Sequence, residues 1–143
     1  MLKSDIFVLL DDVQFQKNGL QNRNQIKTPS GAIWLTLPVK FRLGDKINEV
    51  VISNEISLNK IIKTITHNYK RSPFYSDVLP LIESVFHKND KLLLDINNKL
   101  LTGILDLIGF SCNIRYSSQI ETTQVKDDLV IEIIKYFGEK EYL

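Results

Sequence analysis

Ile6-Phe7-Val8-Leu9-Leu10 is a continuous apolar run closed by Asp11-Asp12. Such a run predicts a strand buried on both faces, as in a parallel sheet. Two further strands are expected over Asn24–Thr28 and Ile33–Val39. They are joined through Thr28-Pro29-Ser30-Gly31, where proline presets φ for a turn and glycine supplies the positive φ that closes it, so a hairpin is predicted. The Gly44-Asp45 turn introduces another short strand over Ile47–Ile52.

The second half of the chain changes period. Leu58, Ile61, Ile62, Ile65 and Tyr69 recur at three and four residues, which predicts a helix with Ser57 or Asn54 as its N-cap. A second helix is expected to open at Pro73 and to bury Tyr75, Val78, Leu79, Ile82, Val85 and Phe86. The strongest helical pattern runs from Leu92 to Ile108, with an apolar stripe of Leu93, Ile96, Leu100, Ile104, Leu107 and Ile108 and a stop at Gly109. Asn113–Tyr116 reads as a short strand, and Val125–Phe137 as an amphipathic helix stopped by Gly138.

Strands, then helices, then a strand–helix unit predict a single α/β domain over residues 1–143. The expected fold is a mixed sheet with an inserted β-hairpin, a helical second half and a Rossmann-like parallel core incomplete at both ends. Structure is expected within four residues of Met1, and a new strand at Glu141-Tyr142-Leu143, so both ends read as abrupt and the domain as part of a longer one.

Composition narrows this picture only in places. Hydrophobic residues make up 43% and charged residues 24%, the proportions of a folded domain rather than a disordered chain. A net charge of +1 provides no general attraction to nucleic acid or anionic membrane, and neither partner is expected. No segment reaches the roughly 18 apolar residues of a membrane span, and no signal peptide is evident, so a cytoplasmic location is expected. The lone Cys112 has no disulfide or zinc partner and reads as a small buried hydrophobe.

Chemistry concentrates in the loop Asp11–Lys27. Two adjacent carboxylates, Asp11 and Asp12, leave the end of a buried strand, where ligands of open parallel sheets bind. They are candidates for a general base or for oxygen ligands to a divalent cation, against the plainer reading that they turn the chain into water. Gln14, Gln16, Lys17, Asn18, Gln21, Asn22, Arg23, Asn24 and Lys27 crowd amides and cations into the rest of the loop. Amides offer donors and acceptors together, which suits sugar hydroxyls, whereas Arg23 and the lysines suit phosphate or carboxylate. Tyr69 and Arg71, near the start of the second helix, are further candidates for a phosphate contact. Trp34 could stack on a sugar, although a core role is favoured. His67 and His87 read as surface or capping residues. Neither a metal nor a cofactor is named by these patterns, and Gly-x-Gly-x-x-Gly, P-loop, Gly-x-Ser-x-Gly and Cys-x-x-Cys are all missing from the sequence.

Read in order, Ser4 through Lys17, with its Leu-Asp-Asp-Val-Gln-Phe block, and Gln21 through Gly31, with Gln-Asn-Arg-Asn, resemble the signature region of the WbqC-like family. Trp34–Val39, Ile47–Val50 and Tyr69–Tyr75 extend the resemblance over nearly the whole chain. It implies a bacterial cytoplasmic protein encoded with surface-polysaccharide genes such as those for O-antigen. Its implied activity is that of an acyl or aminoacyl transferase on amino sugars or their nucleotide-activated forms. Members of the family usually carry an additional first strand with a His-Gln-Pro motif and a further C-terminal stretch, which the sequence does not match. On this reading Asp11 or Asp12 acts as base or metal ligand, Gln14, Gln21 and Asn22 orient a sugar or acyl amide, and Arg23, Lys17 and Lys27 bind phosphate or carboxylate. Two alternatives stay open: a non-enzymatic module binding nucleic acid or a protein through Lys17, Arg23, Lys27, Lys40 and Arg42, or an inactive remnant of the longer enzyme.

Overall fold

The structure is a computed structural model that describes residues 4–53, 55–86 and 91–138. Five strands come before or among the first loops and helices: β1 (Ile6–Leu9), β2 (Arg23–Thr28), β3 (Gly31–Thr36), β4 (Val39–Lys40) and β5 (Val51–Ile52). Helices α1 (Glu55–Tyr69), α2 (Tyr75–Phe86) and α3 (Leu93–Leu107) follow, then β6 (Asn113–Tyr116) and α4 (Lys126–Phe137). The class is mixed α/β, as the sequence pattern predicts. Contacts divide the chain into two compact units, Met1–Asp12 with Cys112–Leu143, and Val13–Ser111.

In the first unit β1 pairs in parallel with β6, from Ile6 opposite Asn113 to Leu9 opposite Tyr116. Here the expectation of full burial fails: β1 is half-buried along its length and Leu10 is 40% exposed. The reason is that β1 has a ladder on one side only among the described residues. On α4, Leu129 and Ile133 are buried one turn apart, the spacing that puts two side chains on one helical face.

The second unit holds the main core, formed by Phe15, Leu37, Val50, Leu58, Ile61, Ile62, Val85, Phe86, Leu93 and Ile96. Strands β2 and β3 form the predicted hairpin around Pro29-Ser30, with Thr28 opposite Gly31. Gly31 has φ 113°, and the Thr28 hydroxyl donates to its carbonyl at 2.6 Å. Helix α3 ends as predicted at Gly109, φ 67°. There the Gly109 N–H donates to Asp106 O at 3.0 Å and the Phe110 N–H to Leu105 O at 2.9 Å, which satisfies two otherwise orphaned carbonyls.

Several boundaries differ from the pattern. The expected strand Ile47–Ile52 is a 3-10 turn over Ile47–Glu49 followed by the two-residue β5, which pairs with β4. Glu49 reaches back to accept from the Lys46 N–H at 2.8 Å, and that local bond competes with extended backbone. Helix α2 starts at Tyr75 rather than Pro73, and Ser57 lies inside α1 rather than capping it. The stripe of α3 is buried only in its first half: Ile104, Leu107 and Ile108 are exposed, and Leu105 is buried instead. Asn54, His87 and the strand expected at Glu141–Leu143 lie outside the described residues.

Candidate functional site

The polar loop after β1 is pinned at each stage of its path through the second unit. Phe15 is buried and packs on Phe41 with ring centroids 4.8 Å apart. The Phe15 N–H donates to Asp45 O at 2.9 Å, and Val13 O accepts from Ile47 N–H at 3.0 Å. A tight turn follows, with Asn18 at φ 65° and the Gly19 N–H donating to Gln16 O at 2.9 Å. The Gln21 side-chain oxygen accepts from the Gln16 N–H at 2.8 Å, which closes this turn. Asn97 of α3 then donates from its side chain to Gln21 O at 2.9 Å. Asn22 exchanges two bonds with Leu37: the Leu37 N–H donates to Asn22 O, and Asn22 Nδ2 donates to Leu37 O, both at 2.8 Å.

This path brings Gln21, Asn22, Arg23 and Asn24 to the rim of a concavity of about 280 Å³. Its apolar lining includes Leu37, Ile61, Phe86 and Ile96, all buried core residues. Asn97 completes the rim. Asn22 and Asn97 each commit Nδ2 to a backbone carbonyl, which can only accept, so the orientation of both amides is fixed. Neither Oδ1 has a hydrogen-bond partner among the described residues.

Arg23 is held at the base of β2. Its guanidinium donates to the Asn18 carbonyl and lies 4.4 Å from the centroid of the Trp34 ring. Arg23 pairs with Thr36 and Trp34 with Gln25, so the two side chains are diagonal neighbours on one face, within reach for long and aromatic groups. Arg23 Nε is buried and has no hydrogen-bond partner among the described residues. The core role favoured for Trp34 is thereby corrected: it is 49% exposed, because its position alternates with Leu35, which faces the apolar lining, and it carries a cation instead.

The remaining candidates in this unit stand apart from the concavity. Gln14 is exposed and bridges to Lys46; Lys17 and Arg71 are exposed. The Tyr69 hydroxyl accepts from the Lys27 backbone N–H at 3.0 Å, which ties α1 to the hairpin and leaves the Lys27 side chain exposed. His67 is exposed on the last turn of α1. Lys40 belongs to the β4–β5 ladder, not to the hairpin that carries Arg23 and Lys27.

Asp11 and Asp12 lie in the first unit, at the carboxyl ends of the parallel strands β1 and β6. Asp11 is 4% exposed and accepts from the Ser117 hydroxyl at 3.2 Å, the Ser118 N–H at 3.0 Å and the Ser118 hydroxyl at 2.7 Å. The fully buried Ser117 hydroxyl also contacts Asp12 Oδ1. Asp12 itself is half-buried. Among the described residues, no three His, Cys, Asp or Glu side chains gather as a metal-binding group.

The profile of the WbqC-like protein family matches residues 1–143. The chain belongs to the WbqC-like protein family. It is similar to the uncharacterized protein Rv1507c of Mycobacterium tuberculosis (strain ATCC 25618 / H37Rv), at 28% identity over 145 residues. That alignment covers 97% of this WbqC-like chain but 62% of the relative, so the chain spans about three fifths of the relative's length. No solved structure matches it. Among the described residues of this family member, no helix is long and apolar enough to cross a membrane.

Three residues of these two regions were missed from sequence. Asn97 was not among the candidates. Its signal was its position four residues after Leu93 and three before Leu100, on the apolar face, where an amide needs a partner. Ser117 and Ser118 follow a predicted strand without any motif, and only the parallel pairing of β1 with β6 places them against Asp11.

Proposed function

We propose that this WbqC-like chain is the ligand-binding part of a cytoplasmic transferase, of acyl or aminoacyl type, that acts on amino sugars or nucleotide-activated sugars in bacterial surface-polysaccharide synthesis. The observation that carries the reading is the amide-and-cation rim of the concavity, where Asn22 and Asn97 keep acceptor oxygens and Arg23 supplies a positive charge. Gln21 and Asn22 orient the ligand's polar groups, and Arg23 holds its anionic or carbonyl end. In the first unit Asp12, less engaged than Asp11, is the candidate for a general base. Asp11 holds the Ser117-Ser118 turn beside it.

Isothermal titration of the chain with UDP-N-acetylglucosamine and other nucleotide-activated amino sugars tests this. Saturable binding by the native chain that is lost in Arg23→Ala is the expected result. No heat with any of them from the native chain would remove the reading.

A further inference from the structure

The buried side chains that line the concavity are all hydrocarbon. Leu37, Ile61, Phe86 and Ile96 contribute no hydrogen-bonding group, and polarity is confined to the amides and Arg23 around them. A sugar ring has apolar C–H on its faces but hydroxyls around its whole edge. Enclosed edge and face by that hydrocarbon it would lose hydrogen bonds to water and regain none, which is costly. The volume of about 280 Å³ lies just below the range of typical ligand sites, roughly 300 to 1,000 Å³. A short acyl group with its amide fits such a space, and a whole sugar nucleotide does not.

The rim specifies the polar part of the occupant. Asn22 and Asn97 each keep Oδ1, an acceptor, because the bond from Nδ2 to a backbone carbonyl fixes which way the amide is turned. An acceptor calls for a ligand N–H or O–H. Each Nδ2 carries a second N–H beyond the one given to the backbone, and that donor calls for a carbonyl oxygen. A hydrocarbon tail, an N–H and a carbonyl oxygen in close succession describe an N-acyl group. We infer that the concavity is an acyl subsite, which takes a short aliphatic N-acyl group with its chain against Leu37 and Ile96 and its amide between Asn22 and Asn97. The inference rests on the transferase reading above and narrows it, because it assigns the concavity to the acyl group and not to the sugar ring.

The test is a titration of the isotope-labelled chain, followed by NMR of its methyl and side-chain amide resonances. The probes are D-glucosamine, its N-acetyl, N-propionyl and N-butyryl derivatives, and N-methylbutyramide, which has the acyl amide and no sugar. Affinity should rise about fourfold per added methylene, the gain from burying one such group. Shifts should fall on Leu35, Leu37, Ile96 and Leu100 methyls and on the Asn22 and Asn97 amides. In Leu100→Phe, where the ring fills the space, the dependence on chain length should flatten; should that variant not fold, the series on the native chain decides by itself. Glucosamine binding as tightly as its acyl derivatives would sink the acyl subsite while the sugar reading stood. N-methylbutyramide moving the same resonances, with no affinity gained from the sugar, would sink the sugar reading while the subsite stood. Shifts elsewhere, or binding by no probe, would overturn the inference.

Discussion

Replacing Arg23 by alanine removes three things at once, and their magnitudes oppose one another. The guanidinium's contact with Trp34, at 4.4 Å from the ring centroid, contributes about 0.5–1 kcal/mol at a half-exposed position. Its hydrogen bond to the Asn18 carbonyl contributes about 1 kcal/mol more. Against these, the buried Nε without a protein partner costs about 1–3 kcal/mol, and that cost disappears with the side chain. The balance is a stability change within about 1 kcal/mol, so the variant folds and its ligand binding can be read directly. Binding has no such compensation: a charge-assisted bond to a ligand oxygen is worth about 1.5–3 kcal/mol, or roughly 10- to 150-fold in Kd. Trp34 is the single tryptophan of the chain, so its fluorescence reports the guanidinium without a label. Arg23→Ala should shift Trp34 emission to the red, leave the urea midpoint nearly unchanged and weaken ligand binding by that factor. A stability loss beyond about 2 kcal/mol with unchanged affinity would show Arg23 to be a structural clamp and refute the reasoning.

Asp11→Ala should destabilise the chain by about 2–3 kcal/mol and Asp12→Ala by about 1 kcal/mol, because Asp11 accepts from the Ser118 N–H and hydroxyl, whereas Asp12 has only a share with Asp11 in the one Ser117 hydroxyl proton; urea denaturation of both variants checks the order, and its reversal would contradict the assignment of Asp11 as the anchor. Gly31→Ala should cost about 1–3 kcal/mol through backbone strain alone, since φ is 113° and a Cβ there meets nothing within 4 Å; an unchanged melting temperature would show that the turn relaxes freely. Gly103→Ala should lower the melting temperature even though alanine favours a helix by about 1 kcal/mol, because the new Cβ would lie 2.2 Å from Leu81 Cδ1 and 3.1 Å from Leu81 Cγ. A rise in melting temperature there would mean that Leu81 swings clear at no cost.

What the chain's pattern revealed about the fold follows from how local each signal is. The hairpin was readable because Pro29, Ser30 and Gly31 determine a two-residue turn within four positions, and the end of α3 was readable because Gly109 reaches positive φ cheaply. The segment Ile47–Ile52 was misread because its alternation is equally compatible with a 3-10 turn, and a single bond from Lys46 to Glu49 decides between them. The pattern also could not show where the stripe of α3 stops being covered: Leu93 and Ile96 are fully buried while Ile104 and Leu107 are not, and that depends on partners far away in sequence.

The site was legible in kind but not in emphasis. Paired carboxylates draw attention in any sequence, yet Asp11 is engaged by Ser117 and Ser118, and much of its hydrogen-bonding capacity is spent inside the protein. The amides of the loop looked interchangeable, and the fold separates them. Gln21 spends its oxygen on closing a turn, whereas Asn22 and Asn97 spend only a donor and keep an acceptor at the edge of an apolar hollow. Which member of a polar cluster is left to meet a ligand is therefore fixed by which bonds the backbone has already taken. In this chain the backbone carbonyls of Leu37 and Gln21 make that choice, and they make it for a pair of asparagines 75 residues apart, a distance over which residue type and spacing carry no signal.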